Sequence, residues 1–401
     1  MDAKLFAPTA PGRLVPALNR YRRPDTGFIP DPLPRAWQPP PQTRALMAEA
    51  RAALERLRLA GEGARSPRLV SEFLQLREAI CSSVSDRGAE ATAALLAFAP
   101  PAGGAHRDPL KAWRNAYRYR AVLCAGHAAV PPAGPASGAR PPALRALIQQ
   151  IHAGLFEGRP RRSVFPGRLR RGPIQMGDSA RYVPPPHEWV VPCLAALERG
   201  LARPGGIDPL VRAFMTHYQF VTIHPFADGN GRVARILLAL MLNNALGARA
   251  PLLYVSPFLV RHKGQYTARQ FRVNTHGEWP VWIDFCLKAV IAEAGDAARR
   301  IALFGRLRDK YGADALLDEL LATPAFSAPQ FAGLCARHGR EARGELARFV
   351  GAGIARDAGP RWPRQYTLPG VVVLLTRDPL PARGGGSAAA RPVSRTNFDI
   401  R

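Results

Sequence analysis

The run Ile223-His224-Pro225-Phe226-Ala227-Asp228-Gly229-Asn230-Gly231-Arg232-Val233-Ala234-Arg235 gathers the residue types that polar catalysis needs. His224 is the nearby side chain that exchanges a proton near neutral pH, which suits a general base. Gly229 and Gly231 let the backbone turn sharply and let a ligand come close to the peptide groups. A helix opening near Asn230 would aim unpaired N–H groups, at the positive end of its dipole, at whatever lies in front. Arg232 and Arg235, three positions apart in the first turn, are unfavourable there without an anion and so predict a di- or triphosphate. Asp228, just before the cradle, is placed to hold Mg²⁺ against the same phosphates through one carboxylate. From Gly229 to Gly277 no acidic residue occurs, while Arg232, Arg235, Arg249, Arg261, Lys263, Arg269 and Arg272 are all positive.

Rival chemistries fit less well. GNGRVA satisfies the GxGxxA dinucleotide fingerprint, but no acid follows about 20 residues on to bind a ribose. Asp228 and Asn230 resemble the start of a calcium loop, yet Arg232 occupies the third ligand position and no Glu closes it. His217 and His224 lack a third metal ligand at sensible spacing, so His217 reads as a core histidine. No GxxxxGK[ST] phosphate loop occurs.

The flanking elements must hold this run in place. Asp208 before Pro209 is an N-cap followed by proline at the first helical position, and Leu210, Phe214, Tyr218 and Val221 share one face of a helix ending near Ile223. After Gly231, residues 233–241 are apolar on nearly every side, the mark of a helix at the centre of a domain. Upstream, Pro-rich text from Phe28 to Pro41 reads as an extended arm, and helices are expected over 42–59, 68–83 and 143–155. Gly and Pro punctuation between Pro166 and Pro186 suggests a hairpin or exposed flap around Pro173 to Met176. More helix is expected over 279–301. Beyond Asp314 a small separate module follows: a helix over 315–321, a capping signature at Ser327 to Gln330, a helix over 341–350, and a ribbon within 354–368. The last twenty residues, with GGGSAAA, read as disordered. The expected division is 1–105 as an arm and helical region, 106–305 as the catalytic core, 306–378 as the small module and 379–401 as a tail.

Composition narrows the classes. The chain has 401 residues, 47% apolar and 21% charged, enough to bury more than one core and too apolar for wholesale disorder. A net charge of +26 favours anionic partners, although only Lys4, Lys111, Lys263, Lys288 and Lys310 are lysines and the arginine excess is spread throughout. Five widely separated cysteines form no CxxC pair and suit a reduced, cytoplasmic protein. No apolar run approaches the about 20 residues of a membrane span, and the opening lacks the apolar core of a signal peptide.

HPFADGNGRVAR resembles the signature of the Fic family, HxFx[DE]GNGRxxR, with every defined position matched. PGRLRRGPIQMG followed by YVPPP is similar to the family's target-docking flap, and the text from Pro251 to Leu287 to its later helices, so the likeness spans most of residues 20 to 375. The resemblance implies a mainly α fold: a Fic-type helical bundle with a short β-hairpin flap. It also implies an activity, protein adenylyltransferase, moving AMP from ATP to a Ser, Thr or Tyr hydroxyl of a target protein. On that basis His224 is the general base, Phe226 anchors the loop, Asp228 binds Mg²⁺, and Gly229, Asn230 and Gly231 form the anion hole. Arg232 and Arg235 hold the β- and γ-phosphates, and Gly231 in place of lysine resembles the nucleotide-transferring majority. The flap, Pro173, Ile174, Gln175, Met176 and Gly177, would seat the target as an added strand, and Tyr266 is placed either to stack on adenine or to join the core.

The family's inhibitory pattern, [ST]xxxE[GN], corresponds here to Ser82-Ser83-Val84-Ser85-Asp86-Arg87. Asp86 replaces Glu and is one methylene shorter, which predicts weakened self-inhibition through Arg235. The small module reads as a winged helix-turn-helix with His338, Arg340, Arg343 and Arg348 around its recognition helix, making DNA, or a second copy of the chain in a homodimer, a candidate partner. The alternatives are therefore a DNA-binding regulator with a nucleotide-sensing or silent site, and an enzyme that removes AMP. A membrane partner is not expected.

Overall fold

A computed structural model describes residues 1–19, 21–84, 109–130, 143–157, 164–174, 182–203, 205–312, 314–358 and 364–377, and they are mainly helical. The chain opens with an antiparallel ribbon, β1 (Gly12–Leu18) and β2 (Pro24–Pro30), paired from Gly12 with Pro30 to Leu18 with Pro24. The arm is thus not merely extended as its prolines suggest. A two-stranded ribbon has only one paired side per strand, which leaves room for Pro16, Pro24 and Pro30. The Phe28 ring is fully buried against Tyr182, and the Phe28 N–H donates to the Val183 carbonyl at 3.1 Å.

Four helices follow: α1 (Pro41–Glu62), α2 (Pro67–Val84), α3 (Pro109–Ala129) and α4 (Leu144–Phe156). Then come α5 (Val190–Ala202), α6 (Pro209–Ile223) and α7 (Asn230–Leu246). The Asp208 carboxylate accepts from the Leu210 N–H at 2.9 Å, so the expected cap starts α6. Every α6 residue from Ala213 to Ile223 is buried. Helix α7 lies against it and buries Val233, Ala234, Ile236, Leu237, Leu238, Ala239 and Leu240. At about 1.5–3 kcal/mol for each large apolar side chain removed from water, this pair anchors the domain. Asn243 secures the far end of α7: its Oδ1 accepts from the Leu252 and Leu253 N–H groups and its Nδ2 donates to the Leu253 carbonyl.

Helices α8 (Ser256–Arg261) and α9 (Lys263–His276) lead to α10 (Trp279–Tyr311), 33 residues long. Trp282 in its first turns donates to the Phe214 carbonyl of α6 at 3.2 Å. The helix runs unbroken past the 305/306 division expected from the sequence. Beyond it lie α11 (Ala315–Ala322), α12 (Ala328–Arg337) and α13 (Ala342–Gly351), with a sheet ordered β3 (Ala325–Ser327), β5 (Gln365–Thr367), β4 (Arg356–Asp357). The Ser327–Gln330 capping box is formed. Strand β3 and a final helix α14 (Pro369–Thr376) were not anticipated; at three residues β3 is too short to show a period. This module is fastened to α3 by bonds from Tyr117 Oη to the Ala325 carbonyl at 3.0 Å and from Arg120 to the Ala322 carbonyl at 2.6 Å.

Of the flap expected around Pro173, only Pro173 and Ile174 are described, and they are irregular; Val164 makes an isolated bridge. Gln175, Met176 and Gly177 lie outside the described residues, as do Asp86 and the tail from 378 onward. None of the five cysteines is joined in a disulfide; Cys193, Cys286 and Cys335 are buried and Cys124 is exposed. Among the described residues no helix is long and apolar enough to cross a membrane.

Candidate active site

Helix α6 stops because His224 adopts the left-handed conformation, φ 51° and ψ 61°. A non-glycine residue in that region carries about 1–2 kcal/mol of strain, so its surroundings must hold it there. They do. The Nδ1 of His224 lies 3.2 Å from the Val221 carbonyl, an acceptor, which places the proton on Nδ1 and leaves Nε2 as the basic nitrogen. Burial pushes the imidazole down to about 4, and the neighbouring Arg170 cation acts in the same direction. The ring is therefore neutral at physiological pH.

The loop that follows is closed by Asn230. Its Oδ1 accepts from the Phe226 N–H at 2.9 Å and its Nδ2 donates to the Phe226 carbonyl at 2.7 Å. Asn230 thus spends its side chain on the turn, leaving its main-chain N–H for the cradle. Phe226 is fully buried and stacks on His152 of α4, 4.0 Å between centroids and 9° between planes. His152 joins two chain segments at once: its Nδ1 accepts from the Gly167 N–H at 2.9 Å and its Nε2 faces the Asp228 carbonyl at 3.2 Å.

Gly229 is the N-cap of α7 with φ 81°, and it brings no side chain to cap the first-turn amides. A Cβ here would meet Phe156 at 2.6 Å. At Gly231 a Cβ would lie 3.1 Å from the Arg235 guanidinium, so Gly229 is required by both space and conformation, whereas Gly231 is crowded only by the end of a flexible side chain. Asp228 accepts the Gly229 N–H through Oδ1 at 2.6 Å and stands 3.8 Å from Arg232. Among the described residues no group of three metal-binding side chains occurs. Asp228 still fits Mg²⁺, an ion commonly held by one or two carboxylates together with substrate phosphates and water.

The two arginines take different partners. Arg232 lies over the Phe156 ring, 4.8 Å from its centroid. Arg235 donates from Nε to the Ser82 hydroxyl at 2.7 Å and from Nη2 to the Ser82 carbonyl at 3.0 Å. One turn before Ser82 on α2, Glu78 is buried and accepts from Tyr119 at 3.1 Å and from the Ser256 hydroxyl. Burial raises its carboxyl pKa, with Arg235 opposing the shift. Tyr266 is half-buried; its hydroxyl meets His217 Nε2 at 2.8 Å, and His217 Nδ1 faces the Ala234 carbonyl at 3.2 Å. His217 is thus a core histidine with both nitrogens engaged, and it fixes Tyr266 beside α7.

The structure brings His224, Phe226, Asp228, Gly229, Asn230, Gly231, Arg232 and Arg235 onto one turn, with Ser82 arriving from α2 and Tyr266 from α9. Sequence reasoning overlooked Arg170, His152 and Glu78. No spacing marks them, because Arg170 and His152 act chiefly on backbone groups distant in sequence.

Residues 143–242 match the Fic/DOC family, and the chain carries a domain of that family. It is 40% identical over 78 residues to protein adenylyltransferase fic-1 of Caenorhabditis elegans, covering 19% of this chain and 15% of that one. To a probable protein adenylyltransferase of Aquifex aeolicus it is 35% identical over 102 residues, 25% of this chain and 30% of the relative. The chain therefore spans less than a third of the length of these curated relatives. A crystal structure of a Fic family protein from Desulfovibrio desulfuricans superposes with a TM-score of 0.48 at 19% identity, covering 83% of this chain and 98% of that one.

Proposed function

We propose that the protein is a protein adenylyltransferase, and that its substrates are ATP and a hydroxyl-bearing side chain of a target protein. The observation that carries this reading is a neutral imidazole, protonated on Nδ1, placed a few residues before a helix N-terminus that no side chain caps. The names of the matched relatives support it. His224 Nε2 takes the proton of the target hydroxyl as that oxygen bonds to the α-phosphorus of ATP. The bond from the α-phosphorus to the bridging oxygen breaks, and pyrophosphate departs. The amides of α7, with Arg232 and Arg235, offset the charge on the departing phosphates, so the work is positioning and electrostatic stabilisation. Mg²⁺ held by Asp228 would supply further neutralisation of the same phosphates.

Incubation with α-labelled ATP, Mg²⁺ and a cell lysate tests the reading. Label transfer should fall by about 10²–10⁴-fold in His224→Ala while nucleotide binding persists. Transfer that survives the substitution refutes it. Removal of AMP would use the same groups, and release of AMP from a modified protein distinguishes the two directions. The DNA reading has less support, because three of the four side chains it names are paired within the module: Arg340 and Arg348 with Glu345, and His338 with Glu319.

A further inference from the structure

Arg170 is 7% exposed and lies in the run PGRLRRGPIQMG, where nothing in the spacing sets it apart from its neighbouring arginines. Its Nε donates to the His224 carbonyl at 2.8 Å. Nη1 donates to the Gly172 carbonyl at 3.2 Å, and Nη2 to the carbonyls of Pro185 at 2.6 Å and Ile223 at 3.4 Å. Its main-chain N–H donates to the Pro225 carbonyl at 2.9 Å. One residue therefore grips three successive carbonyls, 223 to 225, across the point where α6 ends.

No carboxylate is among these hydrogen-bond partners. A buried cation with no ion pair among the described residues is costly, and burial accordingly draws the Arg170 guanidinium down to about 10. What compensates is a cluster of main-chain carbonyls, of which Ile223 lies at the negative end of the α6 dipole and His224 just past it. A planar guanidinium with five donors can satisfy several such carbonyls at once, and a lysine ammonium offers fewer donors without the fixed fork. The other two acceptors, Gly172 and Pro185, bracket the stretch in which the sequence places the target-docking flap.

We infer that Arg170 is a positioning residue for His224: it locks the strained 224–225 peptide and ties it to both flanks of the flap, so the imidazole is aimed by the same clamp that seats the neighbouring segment. Its effect on turnover rests on the adenylyltransferase reading, whereas its effect on the imidazole does not.

The experiment compares Arg170→Lys and Arg170→Met with the wild type in the full chain. ATP and Mg²⁺ are supplied for kinetics, and ¹⁵N NMR of the His224 ring reports the tautomer. Arg170→Met should lower kcat at least about tenfold with KM for ATP within about twofold, because the aim of the base changes while the α7 cradle does not. The His224 ring should change from a single Nδ1–H tautomer to a mixture, and Arg170→Lys should recover part of both. Should Arg170→Met fail to fold, Arg170→Lys carries the test alone, with reduced kcat and a mixed tautomer expected. A wild-type tautomer retained in folded variants overturns the inference, as does a fall in kcat matched by the fraction unfolded. A wild type without transfer refutes the adenylyltransferase reading instead, and the tautomer comparison still decides on Arg170.

Discussion

The guanidinium of Arg235 rests on Ser82, a residue 153 positions earlier, through both its hydroxyl and its carbonyl. Helix α2 thereby sets the direction of a side chain in the first turn of α7. A hydrogen bond to a charged group contributes about 1.5–3 kcal/mol. Ser82→Ala should raise the dissociation constant for ATP by about tenfold, the equivalent of 1.4 kcal/mol, in a calorimetric titration. Tighter binding would show that Ser82 holds Arg235 away from the nucleotide. The weakened self-inhibition expected from Asp86 in place of Glu predicts separately that Asp86→Gly leaves automodification nearly unchanged.

His152 joins Gly167 to Asp228 and supports Phe226 from beneath. His152→Ala would leave a partly buried N–H and a carbonyl without this partner and open space beside the ring. A loss of about 3–4 kcal/mol in denaturant unfolding is expected. A loss under about 1 kcal/mol, no more than a typical surface change, would mean the stack contributes little.

Gly229 and Gly231 should differ in how they fail. Gly229→Ala combines a positive φ with a Cβ placed 2.6 Å from Phe156, whereas Gly231→Ala meets only the far end of Arg235 at 3.1 Å. The first should destabilise the fold by about 2 kcal/mol or more. The second should leave melting close to wild type and weaken ATP binding. Equal melting temperatures for the two variants would contradict this account.

Acid should unfold the protein earlier than its carboxylates alone would require. Burial holds His152 and His217 at about 4, well below the ordinary histidine value of 6.5. Between those values the unfolded chain binds protons that the folded chain refuses, so stability is complete above about 6.5 and declines as pH falls toward 4. Each such histidine contributes up to about 1.4 kcal/mol per pH unit in that window. Melting temperatures measured from pH 7 to 4 should show the decline, and His217→Phe should flatten it; an unchanged slope refutes the assignment.

Much of this arrangement was legible in the chain itself. Asp208 with Pro209, the all-apolar run after Gly231, and the Ser327 and Gln330 pair mark their helices through local chemistry, and the structure forms each one. The turn from His224 to Arg235 was legible for the same reason, its residues being neighbours in sequence. The β1–β2 ribbon was hidden because prolines argue against strands, and only the pairing of Pro16 with Thr26 and its neighbours reveals an exception. Arg170 and His152 were hidden for another reason: a side chain that binds main-chain atoms places no demand on the identity of the residues it touches.

Helix α10 has a consequence for how the molecule transmits displacement. Its early turns hold Trp282 against α6, while farther along Arg300 donates to the carbonyls of Leu374 and Arg377, and Arg308 pairs with Asp318. Thirty-three residues at about 1.5 Å each make a rod near 50 Å long with no joint in it. Inserting a single alanine at its midpoint would swing its later half, with the module that half carries, by about 100° and pull that module off Tyr117 and Arg120 of α3. The spacing between the 224–235 turn and the last module is therefore counted in residues, like teeth on a gear, and tolerates no slippage.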